Sequence, residues 1–522
     1  MRLDRGDIEA GHGGQPSLAP PVPPPLPAGF GRRLFKPMPD DAALAEAVAG
    51  LSHRRPAASA YHGLWAWQFA SLLLAMFLAV AGAVLNAAAA IALLLGTFTA
   101  VFFAAIALRT VAMLAVLDGR RGQGDRVLPD VELPTYAVLV PVVFEAAIAP
   151  DLIAALNAID YPHERLDIIL ICEARDPGSV AALADAGLGP AMRILVVPDC
   201  APRTKPKALN YALAGVTADY VVIYDAEDCP APDQLRRAAA RFRAGPADLG
   251  CLQAQLNIYN WRESWLTRQF TLEYSGLFDA LLPALQRLAL PIPLGGTSNH
   301  FPRAVLQKVG AWDPWNVTED ADLGFRLARA GYRIGVLPST TWEEAPSRWG
   351  AWLKQRTRWI KGWLQTYAVH NREPLKLLRE LGLYRFIGFQ LLVGGLLAAI
   401  FCHPIFYAMI AYELAQPQPF AAETGFGRAV WAVSGINFVA GVVTTVAVSA
   451  AAVTARRRFG LLRSLVGMPV YWLMISLAGY RALFQVITNP SGWEKTKHRA
   501  RTRRDDLPDG MHPRLASPQA RT

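Results

Sequence analysis

The sequence predicts an α/β domain with a mostly parallel sheet, covered by helices on both faces and inserted between transmembrane α-helices. Three observations support this fold class. The chain is 53% hydrophobic with a mean hydropathy of +0.22, which is high for a soluble protein. Long stretches without charge lie on both sides of the central block. Within that block, residues 130–350, strand-like apolar runs alternate with helical segments.

The first charge-free stretch runs from Arg55 to Arg109, with no Asp, Glu, Lys or Arg between them. One membrane span needs about 20 apolar residues, so residues 64–117 fit a transmembrane hairpin that turns near Asn86. The expected helices are 66–86 and 89–116 in this hairpin, followed by 384–412 and 429–455 later in the chain. The alternative for this stretch is a buried hairpin of a soluble protein.

Lys and Arg residues mark the loops that are expected to face the cytoplasm. They cluster in "DGRRGQGDR" after the second span and in "ARRRFGLLR" after the fourth. The positive-inside rule then places the N-terminus and residues 118–383 in the cytoplasm of a bacterial-type plasma (inner) membrane. The net charge of +10 is explained by this orientation, so no nucleic-acid partner is expected. Five cysteines without a CxxC pair predict reduced thiols rather than a disulfide framework or a zinc site.

The two ends of the chain differ from the rest. Residues 1–60 are predicted to be a disordered, Pro-rich tail without a signal peptide, because no apolar run follows the first charges. Residues 465–487 are long enough for a fifth span, but Pro469 and Arg481 count against it. An interfacial or re-entrant helix is therefore the preferred interpretation of this segment. Residues 488–522 are expected to form a gating-like segment and a basic, disordered tail.

Four strand-like runs in the central block lead into polar ends: "YAVLVPVVFE", "LDIILICEARD", "MRILVVPD" and "YVVIYDAED". Near-continuous Val, Ile and Leu runs are typical of strands in a parallel sheet that is buried on both faces. In such sheets the ligand lies beyond the carboxyl ends of the strands. The acids expected at these ends are Glu145, Glu173, Asp176, Asp225, Glu227 and Asp228.

The motif "YDAEDCP" has the composition of a metal site. Mg²⁺ or Mn²⁺ takes one or two carboxylates together with substrate phosphates. In an extended stretch Asp225 and Glu227 point the same way, so both are candidates to face a metal–diphosphate pair. The alternative is a solvated loop with three acids. In "PRTKPKALNYAL", Lys205 and Lys207 lie near a helix start, which suits a phosphate group, although ordinary surface lysines give the same pattern.

The segment "WDPWNVTEDADLGFRLARAGY" predicts a helix capped by Thr318, with Glu319 and Asp320 in its first turn. Acids are stabilised there by the helix dipole, which is a sufficient structural explanation for them. The dipole also lowers the pKa of a carboxylate and weakens it as a base. A catalytic Asp320 therefore requires desolvation or a neighbouring acid to raise its pKa.

The segment "AWLKQRTRWIKGW" predicts an amphipathic helix rich in tryptophan and cations. Gln355, Arg358 and Trp359 share one face of this helix, because they are spaced at i, i+3 and i+4. Residues 346–383 are therefore expected to form interfacial helices. The alternatives are a helix that only rests on lipid headgroups and a helix that also lines a sugar site.

The motifs "KALN", "DAED", "GGTSNHF", "TED" and "QRTRW" occur in this order over roughly residues 130–500. Together they resemble the membrane-embedded, inverting family-2 glycosyltransferases with a GT-A fold, which include cellulose, hyaluronan and chitin synthases. The resemblance implies a processive transferase that polymerises a hexose, most readily glucose from UDP-glucose, into a β-glucan.

The resemblance also implies a role for each motif residue. It implies Asp320 as the general base; Asp225, Glu227 and Asp228 at an Mg²⁺ or Mn²⁺ ion; Glu145, Glu173, Asp176, Lys207, Asp225, Gln355 and Arg358 at the nucleotide sugar; and Gly296, Thr297, Ser298, Glu319 and Trp359 at the acceptor. Two choices stay open. Either Glu227 or Asp228 contacts the metal, and either Glu173 or Asp176 contacts the base.

The segment "WEKTKH" resembles the gating loop of these synthases, which implies Trp493, Thr496 and Lys497 over the donor site. Its spacing departs from the family pattern, because Lys497 and His498 share the basic position. Four spans make a thin channel, so polymer export would need partner proteins or a homo-oligomer. The alternatives are a non-processive transferase that glycosylates a lipid, and a non-catalytic docking or secretion-assembly protein.

Overall fold

The computed structural model describes residues 40–117, 128–417 and 425–489. The strands are β1 Tyr136–Val142, β2 Leu166–Glu173, β3 Met192–Val197, β4 Tyr220–Ile223, β5 Cys229–Pro230, β6 Leu249–Ile258, β7 Asn299–Pro302 and β8 Arg333–Glu343. They form one eight-stranded sheet in the order β3-β2-β1-β4-β7-β6-β8-β5. Four of its seven strand pairs are parallel, and β7 runs antiparallel between β4 and β6. The predicted fold class is confirmed, as a mixed sheet.

Helices surround this sheet and flank it in the chain. They are α1 Asp41–Arg54, α2 Ala66–Leu85, α3 Ala87–Leu117, α4 Ala149–Asn157, α5 Pro177–Asp185, α6 Lys205–Gly215, α7 Gln234–Ala244, α8 Trp265–Tyr274, α9 Leu282–Arg287, α10 Arg303–Lys308, α11 Glu319–Arg329, α12 Trp349–His370, α13 Pro374–Phe389, α14 Gly395–Leu414, α15 Gly425–Ala455 and α16 Met468–Thr488. The π-helical segments Ser275–Leu281 and Gln390–Gly394 join α8 to α9 and α13 to α14.

The sheet is covered on both faces, as the Val, Ile and Leu runs predict. Along β1, Ala137 and Leu139 belong to one buried cluster, and Tyr136, Val138 and Val140 belong to another. Successive side chains of a strand point to opposite faces, so a strand that is apolar at every position requires helices on both sides. This burial fixes where each strand ends and thereby where its terminal acids lie.

Five helical segments of the described chain are long and apolar enough to cross a membrane. They are Ala66–Leu85, Leu93–Leu114, Pro374–Leu414, Gly427–Ala455 and Phe459–Thr488. The first four overlap the predicted spans, although Pro374–Leu414 begins ten residues before the predicted 384–412, and the hairpin turns at Asn86 as expected. Pro469 lies in the first turn of α16, where a missing N–H breaks no helical hydrogen bond, so this proline does not argue against a fifth span.

The prediction that residues 1–60 form a disordered tail is wrong for the last third of this range. The described residues between 41 and 60 are folded, and α1 buries Ala47 and Leu51 against the central domain. The physical reason is compositional, because the Pro- and Gly-rich stretch ends shortly before α1 and the apolar positions of a helix follow it. Residues 1–39 lie outside the described part of the chain, as do 490–522.

Helix α12, which carries the "QRTRW" motif, lies inside the molecule. Trp352 is fully buried, and its Nε1 donates a hydrogen bond to the Tyr471 hydroxyl of α16 at 3.2 Å. Trp359 and Trp363 are half-buried against the main core. A helix that only rests on lipid headgroups would expose these rings, so that alternative does not fit the packing.

Gly362 brings α12 into close contact with the segment that carries Asp320. A Cβ atom at position 362 would lie 2.3 Å from Cγ2 of Thr318 and 2.7 Å from its backbone nitrogen. Thr318 directly precedes α11, at the predicted cap position, but its side chain makes no capping hydrogen bond. Its hydroxyl lies 3.2 Å from that of Thr366 on α12. The glycine therefore sets the distance between the two helices that hold the predicted catalytic motifs.

Replacing Gly362 with alanine is expected to destabilise the protein by about 1–3 kcal/mol, because the added methyl group forces α12 away from a fixed backbone. Thermal unfolding in detergent measures the effect. The matched control is Gly350→Ala on the same helix, where a Cβ atom meets no heavy atom within 4 Å. Equal unfolding temperatures for the two variants would contradict the close-packing interpretation.

Candidate active site

A cavity of about 1370 Å³ lies at the carboxyl ends of β1, β2 and β4 and continues between the candidate membrane spans. The residues singled out from the sequence that line it are Glu145, Glu173, Asp225, Glu227, Gly296, Thr297, Glu319, Asp320, Gln355, Arg358 and Trp359. Asp225, Asp320 and Arg358 come from separate segments of the chain and face the same space. The structure therefore brings most of the predicted site together.

Parallel pairing explains why the strand-end acids meet. The register of β1 aligns Leu139 with Ile169 of β2 and with Ile223 of β4, so the three strands end at one edge of the sheet. Glu145, Glu173 and Asp225 follow or end these strands. Ligands of open α/β sheets bind beyond this edge, so the placement of the acids follows from the strand pattern.

Lys205 is the cation at the centre of the acids. It is the first residue of α6, and its Nζ contacts the Asp225 carboxylate and donates to the Gly296 carbonyl at 2.7 Å. Burial lowers the pKa of Lys205, but the carboxylates of Asp225 and Glu319 outweigh burial, and the pKa is raised. Lys205 therefore stays charged and links three segments that are distant in the sequence.

Lys207, the lysine chosen from the sequence, does not reach this cavity. Its side chain is fully buried, and its Nζ donates to the Cys200 carbonyl at 2.9 Å. Residues two apart on a helix point about 200° apart, so only one of the two lysines can face the strand ends. The spacing in "KPK" therefore separates the two lysines, and the packing of α6 turns Lys205 toward the strand ends.

Three other predicted residues hold loops instead of lining the cavity. Asp176 caps α5 by accepting from the Ser179 nitrogen at 3.2 Å. Asp228 is buried and accepts hydrogen bonds from the backbone nitrogen of Asp225 and from the Thr297 hydroxyl. Ser298 is buried and donates to the Thr341 hydroxyl at 2.6 Å. Of the two open choices, Glu173 and Glu227 are therefore the residues that face the cavity.

The acids on the cavity wall fit a divalent cation that is shared with a phosphate ligand. Among the described residues no three His, Cys, Asp or Glu side chains converge into a complete metal cage. Mg²⁺ and Mn²⁺ do not require one, because substrate phosphates and water supply the remaining ligands. The Asp225 side chain is 32% exposed, and Glu227 lies on the same wall. These hard oxygen donors match the ion that the resemblance implies.

Asp320 and Glu319 begin α11 with their carboxyl groups buried. Burial raises the pKa of Asp320 to about 6, and burial together with the neighbouring Asp320 raises the pKa of Glu319 to about 8. One oxygen of Asp320 accepts from the Ala321 nitrogen at 2.7 Å, and Lys205 opposes the rise. The two conditions that the sequence demands of a base, desolvation and a neighbouring acid, are both present.

Helix α12 contributes an amide, a cation and a ring to the opposite wall. The Oε1 atom of Gln355 is buried without a hydrogen-bond partner in the described chain, so it is available to a ligand. Burial lowers the pKa of Arg358, while the carboxylates of Glu319 and Asp225 oppose this. The ring of Trp359 stacks at 6.4 Å on that of Tyr274.

Arg356 supports this wall from behind, a role that the sequence did not indicate. Its guanidinium forms two hydrogen bonds of 2.6 Å to the Glu273 carboxylate and lies 4.7 Å from the ring centre of Trp359. The Tyr471 hydroxyl of α16 donates to Glu273 at 2.9 Å. Arg356, Glu273 and Tyr471 thus join α12, α8 and α16. Their contacts fix the Trp359 ring relative to α16, the last candidate membrane-spanning helix.

Glu343 at the end of β8 also lines the cavity and was not singled out from the sequence. Burial raises its pKa well above the ordinary value, with further contributions from Asp228 and Asp225. The acidic pair in "TTWEEAP" at a strand end was the available signal. The predicted gating residues, Trp493, Thr496 and Lys497, lie outside the described residues.

Comparison with known proteins identifies this arrangement. A family model described as glycosyl transferase family group 2 matches residues 220–484, and one described as glycosyl transferase family 2 matches residues 137–301. The chain belongs to glycosyl transferase family group 2. The expected GT-A-type α/β fold and the expected enzyme class, glycosyltransferase, are thereby confirmed. That this glycosyltransferase is processive remains a prediction.

Similar curated proteins cover only part of the chain. It is 26% identical to "Probable glycosyltransferase YdaM" of Bacillus subtilis over 234 residues, 44% of this chain and 56% of that one. It is 27% identical to "Beta-monoglucosyldiacylglycerol synthase" of Synechocystis over 271 residues, 50% and 56%. It is 29% identical to "Poly-beta-1,6-N-acetyl-D-glucosamine synthase" of Staphylococcus aureus over 161 residues, 31% and 39%. The chain thus spans about half the length, or less, of these relatives.

A solved structure of a mannosyltransferase, PcManGT from Pyrobaculum calidifontis in complex with GDP-Man and Mn²⁺, is also similar. The TM-score is 0.40 and the identity is 20%, over 67% of this chain and 98% of that one.

Replacing Glu319 with glutamine is expected to stabilise the glycosyltransferase at neutral pH. The folded pKa is raised to about 8, so between the unfolded pKa and pH 8 the unfolded chain releases a proton that the folded chain keeps. That release favours unfolding, and the glutamine removes it. The gain should be absent near pH 4, grow as pH rises, and reach on the order of 3 kcal/mol above pH 8.

Urea unfolding in detergent with EDTA, repeated from pH 4 to 9, measures this gain. The matched control is Glu263→Gln, which changes an exposed carboxylate away from the cavity. A pH-independent difference between wild type and Glu319→Gln would contradict the burial argument.

Proposed function

We propose that this protein is an inverting glycosyltransferase that moves a sugar from a nucleotide-sugar donor to an acceptor hydroxyl delivered from the membrane side. One observation carries the proposal. One cavity is lined by Asp225, a candidate metal ligand, by the buried carboxyl group of Asp320, by the cation Arg358 and by the ring of Trp359. The same cavity continues between apolar helices. These are the groups that an in-line displacement at an anomeric carbon requires.

The donor diphosphate is proposed to lie between Lys205 and Arg358, with the Gln355 amide as a further contact. Asp225 and Glu227 are the residues that would hold Mg²⁺ or Mn²⁺, which neutralises negative charge on a leaving diphosphate when it is bound. Lys205 contacts the Asp225 carboxylate, and Arg358 is attracted by Glu319 and Asp225, so protein carboxylates orient both cations. Glu145 and Glu173 follow β1 and β2, and we assign them to the nucleoside end.

Asp320 is proposed to accept the proton of the acceptor hydroxyl. Its raised pKa, to about 6, keeps it ionised at neutral pH while making it a better base than an exposed aspartate. Glu319, Gly296, Thr297 and Trp359 are proposed to contact the acceptor. The Trp359 ring offers a flat apolar face to a sugar, and the Arg356–Glu273 pair behind it holds the ring in place.

The chemical class of the product follows from the acceptor, and two candidates compete. The motif resemblance and the similarity to a poly-β-1,6-N-acetyl-D-glucosamine synthase favour polymerisation, with UDP-glucose and a growing β-glucan as the proposed substrates. The largely aliphatic walls of the cavity between the spans favour a lipid acceptor, as does similarity to a β-monoglucosyldiacylglycerol synthase. A non-catalytic docking role leaves the buried Asp320 and Glu319 without a purpose.

The membrane location and the gating segment are further parts of this proposal. The positive-inside pattern favours an inner-membrane protein with the sheet domain in the cytoplasm. Trp493, Thr496 and Lys497 are proposed to cover the bound donor, and polymer export would involve partner proteins or a homo-oligomer.

Asp320→Asn is expected to lower the turnover number by roughly 10²–10⁴-fold, which is the usual contribution of a general base. For the wild type, kcat/KM should fall tenfold per pH unit below about pH 6, because protonated Asp320 cannot accept the hydroxyl proton. Donor hydrolysis and transfer assays over pH 4.5–8.5 test both statements. Binding of UDP, measured by equilibrium dialysis, should stay within a few fold of wild type, and an active Asp320→Asn variant would refute the assignment.

Purified protein with Mn²⁺ and UDP-[¹⁴C]glucose is expected to transfer label into either a solvent-extractable lipid or an ethanol-insoluble polymer, which decides between the two acceptors.

Arg358→Ala should weaken donor binding by roughly tenfold or more, because a charge-assisted contact to the diphosphate is lost. The matched control is Lys354→Ala, an exposed cation of the same helix that does not line the cavity. EDTA should abolish transfer. Equal losses in both variants would argue against a specific contact.

A further inference from the structure

Arg109 places a positive charge inside a helix that is otherwise suited to cross a membrane. It lies on α3, within the apolar window Leu93–Leu114 and five residues before the end of that window. At 1.5 Å per residue this corresponds to a depth of roughly 7–8 Å from the predicted cytoplasmic end. A charge at such a depth is costly and usually marks a function.

The Arg109 side chain faces the cavity and is not paired within the described part of the chain. It is half-buried and lines the same cavity as Asp320 and Trp359. Among the described residues it makes no hydrogen bond or ion pair. The other cations of the cavity wall differ from it, since Lys205 contacts Asp225 and Arg356 contacts Glu273. Arg109 is therefore a cation in apolar surroundings whose counter-charge must come from outside the described protein.

Polar contacts join α3 to α15 at Thr99, ten residues before Arg109. The Asn437 side chain of α15 donates to the Thr99 carbonyl of α3 at 3.0 Å, and the hydroxyls of Thr99 and Ser434 lie 3.4 Å apart. These contacts join two walls of the cavity and leave the Oδ1 atom of Asn437 without a hydrogen-bond partner among the described residues. A neutral glycan strand would also leave the guanidinium without a counter-charge.

The remaining wall around Arg109 is apolar. Rings of Phe102 and His403 stack at 6.2 Å, and those of His403 and Trp472 stack at 6.0 Å, so a row of three aromatic rings joins α3, α14 and α16. Aliphatic and small side chains from α3, α14 and α15 complete the wall; they include Ala105, Leu108, Leu396, Ala399, Val442 and Val448. Such a surface suits a hydrocarbon chain rather than a hydrated polymer.

We propose that this part of the cavity binds a membrane lipid that carries a phosphate group, with the phosphate at Arg109 and the hydrocarbon chain between α3, α14 and α15. The inference rests on the proposed function, because it names the class of acceptor that the active-site end receives. Lipids supply phosphate at the membrane interface, toward which the long Arg109 side chain can extend from its position on α3. Guanidinium is the cation whose fork of N–H groups matches phosphate oxygens. Glycerophospholipids and isoprenoid phosphates share this chemistry.

Lipid retention by the purified full-length protein tests the proposal without a donor. Native mass spectrometry after detergent release compares three probes at equal concentration: phosphatidylglycerol, undecaprenyl phosphate and neutral diacylglycerol. Wild type is expected to retain at least one of the phosphate lipids in preference to diacylglycerol, and the better-retained probe identifies the source. Arg109→Gln should lose that preference by roughly tenfold, since one charge-assisted contact is removed.

Two further variants make the result specific. Arg109→Lys keeps the charge and should retain most of the phosphate-lipid binding. Arg463→Gln removes an exposed cation outside the cavity and should bind as wild type does. Unfolding temperatures of all variants show whether a loss of lipid retention reflects misfolding. If Arg109→Gln is misfolded, the proposal is tested with Arg109→Lys instead.

Three outcomes would overturn the inference: equal retention of diacylglycerol and phosphate lipids by wild type, unchanged retention in Arg109→Gln, or an equal loss in Arg463→Gln. The second outcome is expected if Arg109 only extends its head toward the interface. UDP binding measured on the same samples separates the two proposals. Wild type that binds UDP but shows no phosphate-lipid preference sinks this inference alone, whereas wild type that binds no UDP sinks the proposed function.

Discussion

The ion pair between Lys205 and Asp225 is the interaction on which the cavity depends. Lys205 begins α6, Asp225 follows β4, and the Gly296 carbonyl that completes the contact precedes β7. An unpaired buried charge costs several kcal/mol, so each of these segments is held in place by the need of the other two. Glu319 and Asp320 share the same cation, and α11 is thereby tied to the edge of the sheet.

The charge balance of the cavity also links donor and metal. Four acids, Asp225, Glu227, Glu319 and Asp320, face the same space as the cations Lys205 and Arg358. The excess of carboxylates is why, in addition to burial, Asp320 raises the pKa of Glu319 and Asp225 raises the pKa of both. A diphosphate is repelled by these carboxylates unless a divalent cation enters with it. The proposed donor and metal sites therefore depend on each other.

The sequence predicts the position of the site well and the direction of individual side chains poorly. Hydrophobic runs determine where strands end, so the acids after β1, β2 and β4 could be placed together before the structure was known. Neighbouring residues in a turn or a helix start differ only in orientation, which tertiary packing decides. This explains the misplaced residues, which are Asp176, Lys207, Asp228 and Ser298. It also explains why Lys207 was chosen over Lys205, and why Arg356 and Glu343 were not recognised.

Helix α12 gives the sheet domain and the candidate membrane-spanning helices a common wall. Its Gly362 packs against the start of α11, while its Trp352 and Arg356 contact Tyr471 of α16. A shift of α16 is therefore transmitted to Trp359, and the reacting end of the cavity is coupled to the part between the spans. An acceptor entering along this path meets largely apolar walls and Arg109, which has no ion-pair partner among the described residues, before it reaches Asp320. A hydrocarbon chain that ends in an anion matches that order of surfaces, whereas a neutral polymer matches only the last of them.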